Sequence, residues 1–202
     1  LEKGWAAAPV IALTLFIGAF VGFLQGYAVH EFKIAPFLIT LAGQFLMRGM
    51  CAVVSTISIP ITNDFFKSAA LAKISWVTAS GSRPKLYYYV FFAIAIVIIA
   101  WYILRFTRFG RAVYAVGSNE QSAQYMGLNV KGVKVGVYAI NGFCSALGGI
   151  LFSFYTLAGY SLQNMGMELD AISSAVIGGT LLTGGVGTVI GSMVGVLIQG
   201  II

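Results

Sequence analysis

The sequence predicts an all-α, polytopic transmembrane helical bundle with a re-entrant or broken helix near 171–187. Three observations carry this prediction. Of the 202 residues, 59% are hydrophobic and only 9% charged, against roughly 25% charged in a typical soluble domain. Several apolar runs reach the roughly 20 residues that a helix needs to cross a bilayer. The basic residues sit in hydrophilic segments between those runs, so the net charge of +6 reads as membrane topology rather than as a nucleic-acid-binding surface.

The spans are expected at 5–29, 36–58, 86–104 and 135–160, with a re-entrant segment at 171–182 and a further span starting at 188. A polar turn, "HEFKIAP", follows the first run. His30 in that turn is expected to face solvent, with no metal partner. Pro36 suits the start of the second helix, because a first helical turn leaves its N–H groups unpaired anyway. The second run contains one charge, Arg48, which would be costly facing lipid. It either ends the helix and snorkels or serves a pathway. In the hydrophilic connection 60–85, Asn63 is placed to cap a short amphipathic helix running to Lys73. The third run carries no charge at all.

The segment 105–134 is polar enough to leave the membrane, yet its small and apolar residues predict short helices. Counting basic residues does not orient the chain: six fall on its side of the membrane and five on the other. The crowding of Arg105, Arg108 and Arg111 at the end of the third span favours the cytoplasm for this segment. Beyond "QNMGMELD" an apolar region runs to the end of the chain, broken near 183–187. Two full spans do not fit there, and backbone broken at membrane depth is tolerated only where protein or a water-filled cavity satisfies it. Glu168 and Asp170 are placed to cap the re-entrant segment and meet its dipole, or to contact a ligand.

The glycine-rich stretch 178–200 raises the question of a nucleotide loop. A G-x-G-x-x-G starting at Gly185 would need glycine where Ile190 stands. No Lys or Arg follows Lys134, so a phosphate would meet the carboxylates Glu168 and Asp170 without a cation. Phosphate binding there is excluded. Gly187, Gly191 and Gly195 are instead spaced four apart, a small-xxx-small ridge expected to admit another helix backbone. Cys51 and Cys144 lie in apolar runs and read as small packing residues. Gln44, Asn141 and Thr183 are the neutral polar candidates for a substrate pathway. For Gln44 and Asn141, hydrogen bonding between helices is the competing role.

Three stretches carry a family resemblance: "TRFGRAVYAVGSNEQSAQYMGL" at 107–128, "ELDAISSAVIGGTLLTGGVGTVIG" at 168–191 and "KIAPFLITLAGQFLMRG" at 33–49. They resemble the permease subunits of bacterial ABC importers for simple sugars, the ribose, xylose and galactofuranose group, in one superfamily with branched-chain amino acid permeases. The "SIPIT" and "GGTLLTGGVGT" wording is most similar to the galactofuranose type. The resemblance implies a bacterial inner-membrane protein that imports a monosaccharide by alternating access. It implies a second permease subunit, a cytoplasmic ATPase that carries ATP and Mg, and an extracytoplasmic sugar-binding protein. It also implies that Gly117, Asn119, Glu120, Ala123 and Gly127 belong to the ATPase-coupling region.

The chain itself has no Walker A motif and no catalytic constellation, so it is not expected to be an enzyme or to bind a cofactor or metal. It begins without methionine and stops within an apolar run, as expected of a piece of a longer polypeptide. The competing readings are an amino acid permease of the same superfamily and a secondary transporter or channel. A channel would call for intramembrane acids, and here the acids are few.

Overall fold

The computed structural model of the protein describes residues 7–61, 73–75, 85–160 and 163–201. Of the helix expected from Asn63 to Lys73, residues 63–72 lie outside the described residues, and Lys73 itself begins a strand. Helices dominate: α1 (Ala7–Glu31), α2 (Pro36–Val54), α3 (Tyr88–Phe106), α4 (Arg108–Ser118), α5 (Glu120–Tyr125), α6 (Val130–Thr156), α7 (Met167–Ile177) and α8 (Val189–Gln199). Strands are minimal. Ile59–Pro60 (β1) pairs antiparallel with Ala158–Gly159 (β4), and Lys73–Ser75 (β2) with Lys85–Tyr87 (β3).

Among the described residues three helices, α1, α2 and α6, are long and apolar enough to cross a membrane. The bent pair of 90–106 and 108–118, which turns through 74°, makes up to four. Large apolar side chains such as Phe16, Phe20, Phe37 and Phe45 stand exposed along these helices. Water would not tolerate that much apolar surface, whereas lipid or neighbouring helices cover it. Hydroxyls within the helices turn back on the backbone: Thr14 donates to the Val10 carbonyl at 2.9 Å and Thr40 to that of Phe37 at 3.0 Å. Such internal bonding is what a bilayer, with no water to offer, demands.

The chain divides into two compact units, 1–93 with 138–163, and 94–137 with 164–202. In the first, α1 approaches α6 through glycine. A Cβ on Gly18 would lie 2.5 Å from that of Ala146, and one on Gly22 would strike the Tyr138 carbonyl. From the other side, a Cβ on Gly142 would collide with the Gly18 carbonyl. The two backbones therefore touch at a small-xxx-small ridge. Gly22 and Gly26 are buried along it. Proline opens α2 as its missing N–H allows. At the far end of α6 the helix stops at Thr156, with Leu157 in the left-handed region at φ +51. Leu157 then accepts a 2.9 Å bond from Ile61 N–H beside the β1–β4 pair.

The second unit contains α4, α5, α7 and α8. Helix α7 starts at Met167, earlier than the 171 expected for the re-entrant segment, because Gly166 at φ +93 ends the preceding turn and takes the cap position. Glu168 and Asp170 thus lie within the first turn and favour its dipole. With 11 residues at 1.5 Å rise, α7 is about half as long as the hydrocarbon core is thick.

One further expectation is corrected here. His30 belongs to the last turn of α1, not to the connecting turn, and is half-buried. Cys51 and Cys144 are free thiols at exposed positions on α2 and α6.

Candidate coupling surface and glycine turn

The second unit builds its site from the bend at Thr107. The Thr107 hydroxyl accepts from Gly110 N–H at 3.1 Å and donates to the Ile103 carbonyl at 2.6 Å, so one side chain caps α4 and closes α3. Gly110 is needed at this corner, since a Cβ there would strike the Leu104 backbone. Asn119 separates α4 from α5. Its N–H bonds the Ala115 carbonyl at 3.2 Å, ending α4. Its side-chain oxygen accepts from Ser122 N–H at 2.9 Å, starting α5.

Helix α5 ends at Gly127, φ +77, where Leu128 N–H reaches the Ala123 carbonyl at 3.1 Å and Gly127 N–H that of Gln124 at 3.0 Å. This is a Schellman ending, and the left-handed residue it requires is why glycine stands there. Leu128 folds back onto a small core of Val116, Ala123 and Val130. Asn129 then caps α6 by accepting from Gly132 N–H at 2.9 Å. An ion pair of 2.7 Å from Lys134 to Glu120 ties α6 to α5; being exposed to solvent, it adds little stability.

The sequence-predicted coupling residues separate into four kinds. Asn119 and Glu120 are exposed and accessible to a partner. Ala123 is 0% exposed and belongs to the small core with Val116 and Val130. Gly127 shapes the chain reversal. The side chains that do stand out were not singled out from the sequence: Tyr125 is 89% and Met126 69% exposed. The signal was present, since two large apolar groups in a polar segment beside a glycine are unusual where water surrounds them.

Gly117 has a different neighbour. A Cβ on it would lie 2.8 Å from the Gly185 nitrogen, and one on Gly185 would lie 2.5 Å from the Ser118 hydroxyl. Gly184 and Gly185 have φ of +93 and +75. They form the tip of a turn closed by Leu181 N–H to the Val186 carbonyl at 3.0 Å. Side chains on either strand of this contact would hold α4 away from the turn. Two residues on, the Tyr114 hydroxyl donates to the Gly187 carbonyl at 2.9 Å. The end of α4 is therefore fixed on the glycine turn by a backbone contact and a hydrogen bond.

The turn itself joins α7 to α8. Helix α7 ends in a second Schellman motif, with Thr180 N–H on the Ala175 carbonyl at 3.0 Å and Gly179 at φ +86. Thr188 caps α8 by accepting from Gly191 N–H at 3.1 Å. A Cβ on Gly191 would collide with the Gly178 carbonyl, and one on Gly195 with that of Ser174. These two glycines bring α8 against α7. Gly187 does not share their face: it precedes the helix cap, because Thr188 and the Tyr114 bond hold the backbone extended there. The three-glycine ridge read from the sequence is thus two residues of helix and one of turn.

Of the pathway candidates, Gln44 is half-buried on α2, Asn141 exposed on α6 and Thr183 exposed in the turn. Gln44 and Asn141 belong to the first unit and Thr183 to the second. None lines the cavities of about 580 Å³ in the first unit or about 370 and 450 Å³ in the second. Among the described residues no cluster of His, Cys, Asp or Glu is placed to hold a metal ion.

Apolar helices long enough to cross a bilayer, with a short helix pair joined by a glycine turn, define a multi-pass membrane protein. The chain belongs to the family described as branched-chain amino acid transport system / permease component, which matches residues 2–202. It is 43% identical over 197 residues to the inner membrane ABC transporter permease protein YjfF of Escherichia coli, covering 96% of this chain and 58% of that protein. It is 38% identical to the ribose import permease protein RbsC of Haemophilus influenzae (95% and 58%) and 36% to the fructose import permease protein FruG of Bifidobacterium longum (100% and 60%). The chain thus spans under two thirds of the length of the relatives it matches. No solved structure matches it. Family and apolar helices together place it in the inner membrane as a multi-pass protein.

Proposed function

We propose that this chain is part of the membrane-spanning subunit of an ATP-binding cassette importer that moves a monosaccharide into the cytoplasm by alternating access. ATP and Mg are bound and consumed on a separate cytoplasmic subunit, and an extracytoplasmic sugar-binding protein delivers the substrate. A second permease subunit completes the pathway. The observation that carries this reading is the attachment of α4 to the glycine turn at Tyr114–Gly187 and Gly117–Gly185. A push on the exposed α5 surface passes through the small core into α4, and from α4 into the turn that joins α7 and α8. That is rigid-body transmission of the kind that moves packed elements as units.

Sugar is favoured over amino acid by the names of the similar permeases, which act on ribose and fructose. The family description keeps branched-chain amino acids as the second reading. The test is uptake of radiolabelled galactose, ribose, fructose and leucine by the full-length permease, reconstituted in vesicles with its ATPase and binding protein. ATP-dependent accumulation of one sugar and none of leucine is expected. Leucine uptake alone overturns the substrate class, and uptake that persists without the ATPase overturns the mechanism.

A further inference from the structure

The second unit contains a cavity of about 450 Å³ lined by Trp101, Arg105, Arg111, Tyr114, Thr188 and Ile190. Two guanidinium groups therefore share one concave surface. No carboxylate lines it, and the ion pair described in this unit, Glu120–Lys134, involves neither arginine. Arg105 lies 6.0 Å from the centre of the Trp101 ring, and Trp101 meets Phe106 edge-on at 5.4 Å. A planar guanidinium held beside an aromatic ring is oriented, not freely solvated.

The surroundings specify the anion. Arg105 closes the apolar helix α3, so the cavity opens where a membrane helix gives way to a polar segment. Tryptophan concentrates at that depth in membrane proteins. Ile98, Tyr102 and Ile190 are exposed on the neighbouring faces of α3 and α8, so apolar surface adjoins the charged hollow. The first turn of α8 adds the amides of Val189 and Ile190, that of Gly191 being taken by Thr188, with the positive end of the helix dipole. A ligand that fits both parts has a phosphate and acyl chains.

We infer that the Arg105–Arg111 cavity is a binding site for the phosphate of an anionic phospholipid headgroup, with its acyl chains against α3 and α8. Guanidinium forks pair with two phosphate oxygens at once, and basic hollows between membrane helices suit such headgroups. The inference is independent of the transported substrate. Arg108 supplies the control built into the sequence. It carries the same charge in the same segment but does not line the cavity, so a topological or general electrostatic role predicts equal effects at all three positions.

The test uses the full-length permease extracted from membranes containing phosphatidylglycerol and phosphatidylcholine, purified in detergent and analysed for retained lipid by mass spectrometry. Selective retention of phosphatidylglycerol is expected, unaffected by a wash with inorganic phosphate. The double change Arg105→Gln with Arg111→Gln should lower retention about tenfold, as expected when charge-assisted hydrogen bonds are lost, and Arg108→Gln should leave it unchanged. If the glutamine pair does not yield folded protein, the pair Arg105→Lys with Arg111→Lys keeps the charge and loses the fork; its retention should fall below wild type. Wild-type retention in either double variant overturns the site, as does an equal loss from Arg108→Gln. Displacement of the lipid by inorganic phosphate overturns the lipid as its occupant.

Discussion

The hydroxyl of Tyr114 donates a 2.9 Å hydrogen bond to the carbonyl of Gly187, joining positions 73 residues apart in the chain. A side chain of the polar segment thereby holds the backbone immediately before α8. Tyr114→Phe removes the donor and leaves a half-buried carbonyl unpaired, at a cost of about 1 kcal/mol. The full-length permease should melt slightly earlier, still bind its ATPase, and transport less per ATP hydrolysed. Unchanged coupling in this variant would show that the bond transmits nothing.

The contact of α8 with α7 depends on the absence of side chains at Gly191 and Gly195. Gly195→Ala drives a methyl group into the Ser174 carbonyl, and Gly191→Leu cannot be accommodated against Gly178. Overpacking of this kind costs about 1–3 kcal/mol. Both variants should reduce the yield of assembled transporter and its uptake. Gly148 on α6 has open space around it, so Gly148→Ala should be tolerated and favour the helix by somewhat under about 1 kcal/mol. Equal yields from Gly195→Ala and Gly148→Ala would refute the packing account.

Gly127 is constrained in a different way. Its surroundings are open, but its φ of +77 is left-handed. Gly127→Ala should cost about 1–2 kcal/mol through the backbone alone, and Gly127→Asn less, because asparagine tolerates that region. Thermal unfolding of the two variants checks the order. A smaller loss for alanine than for asparagine would contradict the Schellman ending.

Docking and core residues in α5 should respond oppositely. Tyr125→Ala, at an exposed position, should lower co-purification of the ATPase with no change in melting temperature. Ala123→Leu, inside the small core, should destabilise the segment by about 1–3 kcal/mol. Normal ATPase recovery with Tyr125→Ala would remove this face from the interface.

The fold class was legible because a bilayer demands long apolar helices, and 59% hydrophobic residues with 9% charge permit little else. The break before α8 was legible from its glycines. Their separate roles were not. Gly187 keeps the spacing of a helix face, but a cap at Thr188 and a bond from Tyr114 place it in the turn, and both depend on residues elsewhere. Ala123 entered the coupling region through the family resemblance, and its place in a small core shows only once its neighbours Val116 and Val130 are known. The Gly18–Gly22–Gly26 ridge of α1 went unremarked because a helix apolar on every side does not announce which face is buried.

At Gly117–Gly185 main chain rests on main chain, and this has a consequence for how such proteins diversify. A junction without side chains holds no record of the cargo and needs no retuning when the cargo changes. Under the proposed function, residues elsewhere can drift towards one substrate or another while this junction stays fixed, and the names of similar permeases point to both ribose and fructose.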